Sequence, residues 1–159
     1  MGALEFVAVE YRLFRPDDFA ALYAIEEVCF DPPHRFSRVY MRQLIAQRHT
    51  VTWVALREQK LCAFGVVECA EEADGLAGYV QTLEVLPEFR GHGIGGELLR
   101  LLGDSARAAG ARILWLHVNA ANHAAIRVYE RDGYRAKEKK ENYYGRGHAA
   151  LILVKELEG

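Results

Sequence analysis

PEFRGHGIGGELL, residues 87–99, sets four glycines within six positions between an apolar run and the start of an amphipathic segment. Glycine loses more conformational freedom on ordering than any other residue. Such density belongs where the chain needs positive φ or where a ligand approaches the backbone closely. Downstream, GIGGELLRLLGDSARAAG (93–110) carries Leu98, Leu101 and Leu102 on one helical face and stops at Gly110. Upstream, YVQTLEVL (79–86) reads as a strand, and beyond the helix ARILWLHV (111–118) reads as a buried one. Strand, glycine loop, helix and strand predict two parallel strands joined by a right-handed crossover, with the helix N-terminus aimed at the end of the first strand. Free N–H groups and the positive end of the helix dipole make that point a phosphate site.

Outward from this unit, EFVAVEYRLF (5–14) is strand-like, and Pro16 with Asp17 and Asp18 opens a helix over DDFAALYAIEEVCF (17–30). FDPPHRF (30–36) breaks it. Ser37 caps a second helix, RVYMRQLIAQ (38–47), and VTWVALRE (51–58) with LCAFGVVECA (61–70) forms a hairpin around Glu58, Gln59 and Lys60. ADGLAG (73–78) is the next turn. NHAAIRVYERDG (122–133) is a helix capped by Asn122 and stopped by Gly133, followed by strands near YRAKEKK (134–140) and HAALILVKEL (148–157). The order predicts a mixed α and β protein built around one sheet. With 159 residues, 51% of them hydrophobic, the chain suits a single domain over 1–159.

Composition narrows the partners. Twenty Lys and Arg against 22 Asp and Glu leave a formal charge of -2, so no large positive field gathers a nucleic-acid backbone. Cys29, Cys62 and Cys69 are odd in number and form no C-x-x-C pair, which predicts buried thiols in a reducing compartment rather than disulfides or a zinc ribbon. Cys29 is expected in the core. No signal-like start and no membrane-length apolar run stand in the sequence, and a myristoylation reading of Gly2 fails at Phe6. A cytoplasmic protein is expected. His49, His123 and His148 lack ligand-like spacing, so no metal is expected. Lys137 to Lys140 reads as a solvated strand end.

Three readings of the glycine loop compete. Gly91, Gly93 and Gly96 satisfy G-x-G-x-x-G after a strand and before a helix, as in a dinucleotide site. The ribose-binding acid expected about 20 residues on is missing, because the next strand ends in His117, Val118 and Asn119. A P-loop lacks its Gly-Lys-Ser/Thr. A plain glycine turn with no ligand is the third reading.

Arg90-x-x-Gly93-x-Gly95 resembles the acetyl-CoA loop of the GNAT acetyltransferases. Asn122-x-x-Ala125-x-x-x-Tyr129, Gly133-Tyr134 and Asn142-Tyr143-Tyr144 are similar to blocks of the N-terminal protein acetyltransferases in that superfamily, including the ribosomal-protein-alanine type. The spacing matches over about residues 79 to 155, and residues 1–78 match in element order and in a loose FDPPHRFS segment. The resemblance implies a GNAT fold: a mostly antiparallel mixed sheet of six to seven strands, about four helices, and a V-shaped splay between strands 4 and 5. It implies acetyl-CoA as co-substrate, held by Arg90, Gly91, His92, Gly93, Ile94, Gly95, Gly96, Asn122 and Tyr129. In relatives a backbone N–H near a strand bulge holds the thioester oxygen, which points to Leu83 or Val85. It implies direct attack by a primary amine, foremost the N-terminal α-amine of a protein or peptide. Lysine or a small-molecule amine is the alternative, and a non-catalytic CoA-binding regulatory module is a reading of another class.

Chemistry assigns the remaining roles. Tyr129 lies seven residues after Asn122, two helical turns on, so the two share a face; in relatives this Tyr meets the CoA sulfur and suits an acid for the leaving thiolate. The resemblance pairs His117 with Tyr79 as a base. Alternation puts Trp115, His117 and Asn119 on one strand face, where a core histidine is the competing expectation. Glu84 is the nearest carboxylate in sequence, but Tyr79 stands where lysine-specific relatives carry their general-base Glu; a solvated or capping Glu84 is expected. An α-amine of pKa about 7.7–8.0 is roughly a tenth neutral at pH 7, whereas a lysine of pKa about 10.4 is below a thousandth, so a base without a carboxylate suits the easier amine. His34 and Phe36 occupy the loop that in relatives contacts the acceptor's first residue, and Tyr143 and Tyr144 align with a substrate-side tyrosine pair.

Overall fold

The computed structural model describes residues 8–157. Gly2, Phe6 and the first residues of the strand expected over 5–14 lie outside them. The chain runs β1 (Val9–Leu13), α1 (Phe19–Cys29), α2 (Arg38–Ala46), β2 (Thr50–Arg57), β3 (Lys60–Glu72), β4 (Gly75–Val85), α3 (Ile94–Ala108), β5 (Ile113–Asn119), α4 (His123–Arg131), β6 (Arg135–Lys140) and β7 (Ala150–Glu156). Single 3-10 turns at Pro16–Asp18, Pro32–His34 and Pro87–Phe89 sit where prolines pre-set φ.

Local chemistry sets these boundaries. Ser37 accepts the Tyr40 N–H at 3.0 Å and starts α2, and Asn122 accepts the Ala125 N–H at 3.2 Å and starts α4. The β2–β3 hairpin turns through Glu58 and Gln59, both at positive φ. Between β1 and α1, Asp18 accepts two bonds from the Arg12 guanidinium, at 2.7 and 3.0 Å, and a third from the Arg15 N–H at 2.7 Å.

One seven-stranded sheet results, in the order β1-β2-β3-β4-β5-β7-β6, antiparallel throughout except between β4 and β5. That parallel contact is short. It joins Ala77 to Ile113, Gly78 to Leu114 and Tyr79 to Trp115, after which the two strands diverge. At Gly78 the chains are so close that a Cβ would lie 2.7 Å from Leu114 Cδ2 and 3.1 Å from Ala106 Cβ. A bulge in β4 accompanies the divergence: Val66 pairs with Thr82 and Val67 with Val80, leaving Gln81 as the extra residue.

Both sheet faces are covered. The α3 stripe of Leu99, Leu102 and Ala106 packs with Val67, Val80, Leu114, Leu116 and Tyr129 on one face. On the other, α1 and α2 bury Phe19, Leu22, Ile25, Met41 and Leu44 against Val54, Phe64 and Val66. Burying these apolar side chains stabilises each layer by roughly 1.5–3 kcal/mol per large residue. The expected class, strand number, helix number and splay are those observed.

Candidate active site

The splay exposes main chain inside the sheet. The Leu86 N–H donates to the Cys62 carbonyl at 2.9 Å, so antiparallel alternation turns Thr82 and Glu84 toward β3 and leaves the N–H groups of Leu83 and Val85 facing the opening. The Val85 carbonyl obeys the same parity: it accepts from Arg90 Nε at 2.8 Å, not from β3. The strand bulge expected near Leu83 and Val85 lies at Gln81.

A cleft of about 780 Å3 runs from this edge past the glycine loop to α4. Leu83, Val85, Arg90, Gly91, Gly93, Ile94, Gly95 and Gly96 line one side, Asn122 and Tyr129 the other. Gly93 caps α3 at φ +82°, a conformation that side chains resist, and a Cβ there would meet nothing within 4 Å. The open space above it is where an anion reaches the first N–H groups of α3. His92 is the exception among the expected loop residues, because it is exposed and outside the lining. Arg127 and Arg131, four apart on α4, line the same cleft and were missed in the sequence; their i, i+4 spacing was the available signal. With Arg90 they supply the positive charge that a polyphosphate needs.

On the opposite sheet face stands an aromatic group. Leu114, Leu116 and Val118 point into the α3 and α4 layer, so Trp115 and His117 point the other way. Tyr79 Oη lies 2.8 Å from His117 Nδ1, and its ring packs on Trp115 at 4.4 Å. Tyr143 stacks flat on His117, 4.4 Å between centroids and 8° between planes, and Tyr144 meets Tyr143 edge-on at 4.9 Å. His117 is thus bonded to a tyrosine hydroxyl rather than to a core carbonyl. Phe36 is half-buried and packs on Tyr40 at 5.0 Å, while His34 is exposed at the end of its 3-10 turn; neither lines the cleft.

One expectation is overturned and one is met in part. Glu84 is neither solvated nor a cap: it is 3% exposed, because α1 covers that face of the sheet. Cys29 is half-buried, packs against the α1–α2 core layer and also lines the cleft, where its Sγ lies 3.7 Å from the Val85 carbonyl.

Protonation follows from burial. Burial pushes the Tyr129 hydroxyl up to about 12, so it carries its proton at neutral pH and can donate it. Burial, then the charge of Lys140, holds His117 below the usual imidazole range, which keeps the ring neutral. Burial and the neighbouring tyrosines raise Tyr79, which therefore donates to His117 Nδ1. The site offers main-chain donors at one strand edge, a cationic and glycine-lined anion cradle, a buried proton donor and a neutral proton acceptor.

Comparison with known proteins agrees with this chemistry. Residues 19–134 match the Acetyltransferase (GNAT) family. The [ribosomal protein bS18]-alanine N-acetyltransferase of Salmonella typhimurium is 31% identical over 99 residues, 61% of this chain and 64% of that enzyme. The alignment thus spans less than two thirds of that relative's own length. N-alpha-acetyltransferase 30 of Schizosaccharomyces pombe is 29% identical over 122 residues, 75% of this chain and 80% of the relative. Among solved structures, Arabidopsis thaliana Naa50 in complex with the bisubstrate analogue CoA-Ac-MVNAL superposes with a TM-score of 0.81 at 25% identity, covering 95% of this chain and all of that one.

Proposed function

The chain belongs to the GNAT acetyltransferase family, and from that premise we propose that it transfers the acetyl group of acetyl-CoA to the N-terminal α-amine of a protein or peptide. The observation that carries the reading is the Tyr79–His117 hydrogen bond of 2.8 Å at the mouth of the splay. It provides a proton acceptor strong enough for an amine that is already partly neutral at pH 7. The relatives named above support the choice of amine.

Acetyl-CoA supplies the acyl group as a thioester. The cleft holds its phosphates at the α3 N-terminus with Gly91, Gly93 and Gly96 beneath them, and Arg90, Arg127 and Arg131 balance their charge. Asn122 fixes the start of α4 and so the position of Tyr129. The free N–H of Leu83 or Val85 receives the thioester oxygen as negative charge develops there. The acceptor enters from the opposite face, between the Phe36 segment and the Tyr143–Tyr144 pair. Its nitrogen attacks the carbonyl carbon, a C–N bond forms and the C–S bond breaks. The amine proton passes, directly or through one water, to Tyr79 Oη as Tyr79 gives its own to His117 Nδ1. Tyr129 protonates the departing thiolate.

The test is a peptide bearing both a free N-terminus and an internal lysine, incubated with acetyl-CoA and mapped by mass spectrometry. Acetyl on the α-amine is expected. Acetyl on lysine overturns the α-amine assignment, and CoA binding without thiol release leaves only the regulatory module.

A further inference from the structure

We propose that Glu26 on α1 and Glu84 on β4 form a buried carboxyl pair that shares one proton and positions the acceptor side of the site, with Glu84 as a hydrogen-bond donor and not as the base. The proposal rests on the reading of the Phe36 segment as the acceptor loop.

Glu26 is 1% and Glu84 3% exposed. Glu26 Oε2 accepts the Phe36 N–H at 3.0 Å, and Tyr23 Oη donates to the Phe36 carbonyl at 2.8 Å, so α1 holds both main-chain groups of that residue. Glu84 Oε2 accepts from Thr82 Oγ1 at 2.5 Å. Glu26 Oε1 and Glu84 Oε1 are both buried with no hydrogen-bond partner among the described residues, and Glu26 is the charged group that acts most strongly on Glu84. An ionised carboxylate only accepts, so two such oxygens satisfy one another only when one carboxyl carries a proton. Two adjacent buried carboxylates do not both ionise near neutrality. Cys29 on α1 and Arg90, which reaches Cys29 Sγ at 3.7 Å, are the other titratable side chains nearby, and β3 presents Phe64 opposite Glu84.

Burial first, then Glu26, raise the Glu84 carboxyl well above the usual carboxylate range, so Glu84 keeps its proton while Glu26 Oε2 accepts the Phe36 N–H. The chain of contacts is continuous: β4, where Leu83 and Val85 face the acyl position, to Glu84, to Glu26, to Phe36. Loosening it displaces the acceptor loop without touching the phosphate cradle.

Glu84→Leu removes the donor and leaves Glu26 Oε1 buried beside an apolar side chain. It is expected to raise the acceptor KM by about tenfold or more while the acetyl-CoA KM stays within about twofold. Glu84→Gln, whose amide donates as the protonated acid does, is expected to rescue the acceptor KM. It is also expected to abolish the rise in acceptor KM that wild type shows at alkaline pH, as Glu84 loses its proton. A Glu84→Gln variant as impaired as Glu84→Leu, or a Glu84→Leu variant with wild-type acceptor KM, overturns the proposal. Infrared spectroscopy decides independently of turnover and covers a Leu variant that does not fold. A protonated-carboxyl C=O band at neutral pH is expected in wild type and lost in Glu84→Gln; its absence from wild type also overturns the pair. Failure of the α-amine reading appears instead in wild type alone, as acetyl placed elsewhere.

Discussion

The two sides of the β4–β5 splay are built by different means. The cofactor side is main chain and short-range geometry: Leu83, Val85, the loop from Arg90 to Gly96 and the start of α4 lie within a single run of sequence. The acceptor side is side chains brought from separate segments, Glu26 and Phe36 from the α1–α2 region, Tyr79 and Glu84 from β4, His117 from β5 and Tyr143 beyond β6. Backbone recognition is written where it acts, in glycines and caps. Side-chain constellations exist only once the register of the sheet is set.

The sharpest test of this division is Tyr129, which lines the cleft beside Asn122 and for which we propose a role in chemistry. Tyr129→Phe is expected to lower turnover by about 10²-fold or more while calorimetric affinity for acetyl-CoA stays within a few-fold. Unchanged turnover would reduce Tyr129 to packing, edge-on against Tyr134 at 5.8 Å. Gly93→Val attacks the cradle itself. A β-branched residue at φ +82° is strained and fills the open space, so acetyl-CoA affinity should fall by about tenfold or more in calorimetry, with NAD binding to neither protein. NAD binding to the wild type would restore the dinucleotide reading of the loop.

On the acceptor side, His117→Ala is expected to slow acetylation by about fivefold at pH 6.5, with the gap closing above pH 8 as the α-amine loses its own proton. A lysine acceptor would keep its dependence on His117 to about pH 10, and a rate profile of both proteins separates the two. The smallest effect is on stability. Glu84 has a raised pKa in the folded state, so folding takes up a proton once pH exceeds the unfolded value of about 4.3. The stability it contributes is complete below that value and is lost as pH rises through the raised folded value. Glu84→Gln has no proton to take up. Its Tm at pH 8 is expected above that of wild type, the difference vanishing near pH 4 in a thermal scan.

What was legible in the sequence follows the same division. The glycines announce themselves through spacing within one crossover unit, Asn122 and Tyr129 through spacing on the helix after it, and the structure puts all of them on one cleft. His117 and Tyr79 were named through resemblance, and their bond depends on a register, Tyr79 beside Trp115, that no local pattern carries. Glu84 stands between Leu83 and Val85, and apolar–polar alternation reads it as facing water. That inference fails because α1 covers the second face of the sheet. Of the adjacent Glu26 and Glu27, one is fully buried and the other exposed, a difference of about 100° of helix rotation that follows only from where α1 packs.

Among the described residues, three residue pairs and the bond of 2.8 Å from the Arg112 N–H to the Leu76 carbonyl stitch β1–β4 to β5–β7 along the main chain. Mechanically the molecule is two plates with a short seam, and beyond Tyr79 each plate has an edge that faces the other instead of solvent. On the proposed reading, an extended arm bearing amides, as the cofactor's is, would bond to the donors of Leu83 and Val85 that face the opening and so act as a temporary eighth strand. On that reading, loading the enzyme is expected to stiffen its middle as well as fill its site, and slowed amide exchange should spread from β4 into β5, across a gap that the strands' main-chain pairing does not bridge beyond Tyr79.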